Sequence, residues 1–251
     1  MLFNILLNRF VSGSFNGSYS NRFNPHEKVN ANSRLVAGHY HCFCPNLTPR
    51  AGVTLSGSSY RPNADFAQTS TQQPMVGFTA GVGYDIFIND RFSVVPEINF
   101  VQKGMNVSEV DYPDGYEYKL NSEYKLNYLE VPVLVKLKFG GVTKFYVNAG
   151  PSVALGLGGT YKFRSTFGGL PLNEDVNSKI KFADKPTDYD GNNVYIDNRI
   201  DAGIQVGAGA LLFGKVNIDV RYTTGVTNLI NDTDFKNRVI AISLGVPLNL
   251  F

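Results

Sequence analysis

The sequence predicts an all-β protein: an eight-stranded antiparallel up-and-down β-barrel that crosses a membrane with its strands. Three observations lead there. Alternation with a period of two fills Asn127–Gly158 on both sides of the turn Gly140-Gly141-Val142-Thr143, and that period writes strands, not helices. The two faces are also inverted relative to a soluble sheet. Leu129, Val131, Val133, Val135, Leu137 and Phe139, then Phe145, Val147, Ala149, Pro151, Val153, Leu155 and Leu157, form unbroken hydrocarbon. The opposite face mixes charge, amide, hydroxyl and glycine, as in a barrel whose apolar side meets lipid. Finally, the connections alternate long and short around eight strands, matching long loops at one end and tight turns at the other.

Composition agrees. The 251 residues include 25 Gly, 18 Phe and 14 Tyr but no Trp, and no apolar run approaches the ~20 residues of a membrane helix. A formal charge of +2 gives no basic surface for nucleic acid.

Residues 1–48 read as an unstructured leader, either an atypical export region or the product of a start placed too early. Met1–Leu7 is shorter than a usual signal core. Residues 11–34 are polar and aperiodic. Every Cys and His of the chain lies here, including His39-Tyr40-His41-Cys42-Phe43-Cys44. Two imidazoles and two thiols suit a soft metal, but the spacing fits no two-pair zinc pattern, so no metal is expected.

The barrel domain then occupies 49–251. Its first strand carries Ala51, Val53 and Leu55 outward and ends at Gly57-Ser58-Ser59; Tyr60–Pro74 reads as a loop. The second strand places Val76, Phe78, Ala80, Val82, Tyr84, Ile86 and Ile88 outward before a turn at Asn89-Asp90. The third has Phe92, Val94, Pro96, Ile98 and Phe100 outward, with Ser93, Val95, Glu97, Asn99, Val101 and Lys103 inward. A long insertion, Gly104–Leu126, holds the turn Tyr112-Pro113-Asp114-Gly115. The hairpin of 127–158 supplies strands four and five, and Tyr161–Arg199 is the longest connection. Strand six runs from Ile200 to Leu212, strand seven from Val216 to Thr223, and Gly225–Asn237 leads to strand eight with Ile240, Ile242, Leu244, Val246, Leu248 and Leu250 outward.

Two side-chain systems follow from this parity. Tyr84, Phe92, Phe139, Phe145 and Phe213 near the short turns, with Phe78, Phe100 and Tyr222 near the loops, are the expected aromatic girdles. Asp85, Glu97, Lys103, Glu130, Lys136, Asp201, Asp219 and Arg221 point inward, where glycines 77, 81, 83, 203, 207 and 209 leave room. The expectation is a hydrogen-bonded charge network plugging the lumen, with Arg221 and Lys136 serving Glu97, Glu130 and Asp219.

The segments FTAGVG (Phe78–Gly83), VPEINFVQKG (Val95–Gly104), YLEVPVLVK (Tyr128–Lys136), FYVNAGP (Phe145–Pro151), DAGIQVGAG (Asp201–Gly209) and DVRYTTGVTN (Asp219–Asn228) resemble the PorT-type outer-membrane β-barrel family over residues 49–251. The resemblance implies an eight-stranded barrel in the outer membrane of Gram-negative bacteria, in a family whose best-known members assist a secretion and gliding apparatus. Residues 1–48 depart from the family pattern, and Phe251 is offset by one from the outward register that Leu250 continues.

Other functions fit less well. A lipid-modifying enzyme needs a nucleophile with a general base, and the barrel has hydroxyls but no histidine. A soluble lipocalin-like binder would reverse the two faces. An open pore conflicts with an eight-strand interior just wide enough for side chains. Asp188-Tyr189-Asp190-Gly191-Asn192 resembles a calcium loop but lacks its downstream glutamate. The expectation is a non-enzymatic, monomeric barrel of the bacterial outer membrane without a cofactor. Its N-terminus would be periplasmic and its long loops extracellular. Its partners would be outer-membrane lipids and other envelope or secretion-machine proteins, not nucleic acid.

Overall fold

A computed structural model describes residues 46–59, 70–172, 175–183, 193–229 and 236–249. In chain order the strands are β1 (Asn46–Ser58), β2 (Ser70–Phe87), β3 (Phe92–Asp111), β4 (Tyr118–Gly140), β5 (Lys144–Phe167), β6 (Leu170–Pro171), β7 (Val176–Phe182), β8 (Asn193–Ile196), β9 (Ile200–Leu212), β10 (Val216–Gly225), β11 (Asn237–Gly245) and β12 (Leu248–Asn249). Eight of them form a ring of antiparallel pairs in the order β4-β3-β2-β1-β11-β10-β9-β5, which returns from β5 to β4. Closure leaves the ring strands no free edge, the condition for crossing hydrocarbon with backbone groups satisfied.

The faces are inverted throughout. Outward Val131, Val135 and Ile204 are 44%, 52% and 52% exposed, whereas inward Tyr128, Glu97 and Lys103 are 0%, 2% and 2% exposed. Hydrocarbon faces out because lipid, not water, is the solvent there, and the polar groups are left to satisfy one another within.

The ring is uneven, and this corrects three expected loops. Gly104–Leu126 is no open insertion: β3 and β4 pair from Lys103↔Leu126 to Asp111↔Tyr118. Only the tip, a single 3-10 turn at Pro113–Gly115, reverses the chain. β5 likewise continues to Phe167, so part of Tyr161–Arg199 is ladder, and β2 starts at Ser70 inside the expected loop Tyr60–Pro74. The physical reason is shared. Beyond the lipid both faces of a strand can be polar, so no apolar period marks it. The boundary at residue 48 also shifts, because Asn46, Leu47 and Thr48 already pair with β2. The first short turn is wider than two residues: Asn89 Oδ1 accepts the N–H groups of Arg91 and Phe92, both at 2.9 Å. The His39–Cys44 cluster, Asp188–Asn192, Leu250 and Phe251 lie outside the described residues.

At the long-loop end β7 pairs with β5 beyond Gly158, and β8 runs parallel to β7. This brings Ile180, Ile196 and Leu229 onto Leu126, Tyr128 and Ala154 in one apolar cluster, with Phe182 edge-on to Tyr128. Phe182 lies over Gly156 so closely that a Cβ there would meet its ring at 2.6 Å. An apolar cap therefore closes over the charged interior.

Candidate functional site

The lumen holds its charges in three layers: the first is built on the neighbouring strands β2, β3 and β4, and the other two join strands across the ring. Nearest the short turns, Lys136 Nζ donates to both oxygens of Asp85 at 2.9 and 3.0 Å, Ser93 donates to the same carboxylate, and Lys138 stands 3.4 Å away. Lys136 also lies 5.0 Å from the centre of the Tyr146 ring, and Lys138 lies 4.0 Å from that of Phe87.

In the middle layer Arg221 grips Glu97 with two parallel hydrogen bonds of 2.6 and 3.0 Å, the fork geometry that makes guanidinium–carboxylate pairs directional. Arg50 adds a second cation at 3.1 Å, and Asn99 donates at 3.0 Å. Arg221 also pairs through Nε with Asp219, whose other oxygen accepts from the Tyr146 hydroxyl at 2.9 Å. Three inward glycines make the space. A Cβ on Gly207 would meet Arg221, one on Gly83 would press on Glu97, and one on Gly209 would sit 2.4 Å from the Tyr146 oxygen.

In the third layer Lys103 bridges Glu130 and Asp201 at 2.9 and 3.1 Å. Gln205 donates to Glu130, and Asn237 donates to Asp201. Above it the Tyr128 ring lies 5.0 Å from Lys103 Nζ. Among the described residues, five cations thus meet five carboxylates in pairs inside the ring.

Each residue named from the sequence can now be placed. Glu97, Arg221 and Asp219 come together. Lys136 does not serve Glu130: it is bound to Asp85, and Lys103 takes Glu130 together with Asp201. The two groups expected to pair lie on one strand six residues apart, ~20 Å along an extended chain, beyond the reach of a lysine. Arg50, Lys138 and Tyr146 were missed as partners. Extending the first strand back one residue shows Arg50 to share the inward parity of Gly52. The aromatic residues Tyr84, Phe92, Phe139, Phe145, Phe78, Phe100 and Tyr222 lie on the outer face, with Phe139 stacked on Phe145 and Phe78 on Phe100, while Phe213 is exposed in the turn between β9 and β10.

A void of about 30 Å³ separates the middle and third layers, bordered by Arg50, Asn99, Lys103, Glu130, Gln205 and Arg221. Arg50 Nη1, Asn99 Oδ1 and Gln205 Oε1 have no protein partner, and the volume is on the order of one water. Outside the ring, Arg164 donates twice to Asp175, and those hydrogen bonds hold the Asp175 carboxyl below its usual range. Among the described residues no group of three or more His, Cys, Asp or Glu is placed to hold a metal.

A family model described as an outer membrane protein beta-barrel domain matches residues 46–231. Solved structures similar to this chain include Ail, the attachment invasion locus protein of Yersinia pestis, at 13% identity and a TM-score of 0.37, covering 81% of this chain and 98% of that one. OprG of Pseudomonas aeruginosa is 13% identical with a TM-score of 0.36, covering 82% and 97% of the two chains. Neisserial surface protein A is 13% identical with a TM-score of 0.36, covering 80% and 96%. No curated protein matches the chain.

Proposed function

The chain belongs to the outer membrane β-barrel domain family, and from that premise we propose that it is a non-enzymatic, plugged barrel that works by contact, not by transport or catalysis. The observation that carries this is the lumen: paired charges fill it, about 30 Å³ of void lies between two of its layers, and an apolar cap covers one end. A barrel so filled has its working surface on the outside. The absence of histidine and cysteine from residue 49 onward supports the same reading, since it leaves the barrel hydroxyls without the usual base.

The orientation belongs to the proposal. Short turns face the periplasm, while the extended β3–β4–β5 sheet and the β7–β8 segment face the exterior, by the loop asymmetry of this class of barrel. The monomer contacts outer-membrane lipids with its hydrocarbon belt. It contacts envelope proteins, secretion-machine subunits among them, with its ends; the resemblance to PorT-type barrels supports that partner class. Reconstitution in planar bilayers tests the plug: the protein should run faster unheated than boiled on a gel, yet pass no stepwise ion current. Steady single-channel steps from heat-modifiable protein would overturn the plugged reading. Co-purification from detergent-solubilised outer membrane tests the partner class, and recovery of the barrel alone would remove it.

A further inference from the structure

The outer face of β4, β5 and β7 changes character where the hydrocarbon belt ends. On β4 the outward residues pass from Leu129 to Asn127 and then Lys125, four residues on, which is ~14 Å along the strand and ~10 Å along the axis of a barrel tilted by ~40°. Pairing carries this row across the sheet: Lys125 lies opposite Thr160, and Thr160 opposite Lys179. The next row sets Asn106, Glu123, Lys162 and Asn177 side by side. Lys181 shares the face of Lys179, closer to the belt. Lys162, Lys179 and Lys181 are exposed and Lys125 is half-buried; against these four lysines and Arg164 stand two carboxylates, Glu123, 3.6 Å from Lys125, and Asp175, which accepts two hydrogen bonds from Arg164. Beside them a groove of about 320 Å³ is lined by Gln73, Asn106, Ser108, Asn121, Glu123 and Lys162, among others. The Asn106 Oδ1 bordering it is buried and unpartnered.

Amides, hydroxyls and lysines form this surface, continuous with the apolar belt and at the depth where a bilayer presents headgroups. The geometry points to a docking site for a phosphorylated glycolipid of the outer leaflet, with lipid phosphates against Lys125, Lys162, Lys179 and Lys181 and sugar hydroxyls in the amide-lined groove. The acyl chains of such a lipid lie along the belt below. The inference rests on the proposed orientation, which puts this end of the barrel outside the cell. Charge complementarity and continuity with hydrocarbon together select a lipid over a soluble phosphate, which would need only the lysines.

The test is titration of the detergent-solubilised full chain with fluorescently labelled lipopolysaccharide. Lys125→Gln/Lys162→Gln/Lys179→Gln/Lys181→Gln should weaken binding at least roughly twentyfold, since a lysine near an anionic surface is worth about fivefold before salt screening. Lys144→Gln/Lys215→Gln, at the short turns, should bind as wild type does. Unheated gel mobility confirms that each variant is folded. Equal binding by the quadruple variant overturns the proposal, as does equal binding of enzymatically dephosphorylated lipid. Displacement by millimolar inorganic phosphate would mean a soluble anion is the ligand and would also overturn it. Orientation is read separately, by labelling Leu170→Cys on intact cells with an impermeant maleimide, in a background with Cys42 and Cys44 changed to serine. No labelling there refutes the orientation; labelling with unchanged lipid binding by the quadruple variant refutes only the docking site.

Discussion

Replacing Glu97 by glutamine should be among the most damaging single substitutions in the lumen. Its carboxylate takes Arg221 at 2.6 and 3.0 Å and Arg50 at 3.1 Å, and its side chain is fully shielded from solvent. Glutamine keeps the shape but leaves two buried guanidiniums short of a counter-charge. Removing one partner of a desolvated pair typically costs ~3–5 kcal/mol, and the doubled loss places Glu97→Gln near the top, at ~5. Arg221→Met belongs near the bottom, at ~3 kcal/mol, because Arg50 remains for Glu97 while Tyr146 and Asn148 remain for Asp219. With a urea slope of ~2 kcal/mol/M, the unfolding midpoints should fall by ~2.5 M and ~1.5 M. The assay is urea unfolding in phospholipid vesicles, scored by the fraction retaining fast unheated mobility. The double variant should be less damaged than the sum of the singles by ~2 kcal/mol. Midpoints within ~0.5 M of wild type, or strict additivity, would show hydrated charges worth only ~0–1 kcal/mol, and the paired lumen described here would be wrong.

Lys103→Met strands both Glu130 and Asp201, so it should cost ~3–5 kcal/mol, and adding Asp201→Asn should recover part of that in the same unfolding assay. Gly209→Ala drives a Cβ into Tyr146 and the Ile218 carbonyl and should cost ~1–3 kcal/mol by overpacking. Gly57→Ala, with nothing within 4 Å, should stay within ~0.5 kcal/mol of wild type, and equal midpoints for the two glycine variants would contradict the packing argument. Phe182→Ala should loosen the cap alone: amide exchange of β7 and β8 should quicken while heat-modifiability is unchanged, because local opening need not propagate into the ring.

Much of this was legible in the chain, for a physical reason that also sets the limit. Lipid tolerates no charge on the outer face, so Val131, Val133 and Val135 announce both strand and orientation. The lumen tolerates many arrangements as long as they neutralise, so parity tells which groups enter but not which partners they take. Glu97 and Arg221 could be matched because their distances from the short turns agree. Asp85 and Lys136 lie on strands β2 and β4, with Ser93 of β3 between them, and only the three-dimensional stagger of the ring shows that they meet. The extension of β3, β4 and β5 was missed because Glu123 and Lys162 face one way and Tyr124 and Tyr161 the other, with neither side written in hydrocarbon. The cap was missed because Ile180, Phe182 and Ile196 belong to one long connection and Leu229 to another, and they come together only in the folded ring.

The ion pairs also bear on how the chain enters its membrane. Arg221 and Glu97 are 124 residues apart, and Lys103 and Asp201 are 98 apart. Arg50, on the first strand, meets both a group from β3 and the neighbourhood of one from β10 across the seam where β1 joins β11. A half-finished sheet of β1 to β4 inserted alone would pair Glu97 with Arg50 and Lys103 with Glu130, yet would hold those charges against hydrocarbon without Arg221 and Asp201, at a cost of a few kcal/mol. Strand-by-strand threading is therefore penalised until the last strand closes on the first. Insertion and closure become one concerted event, slow because its contacts are so distant in sequence, and the lumenal charges act as a latch that releases the chain into the bilayer only as a completed ring.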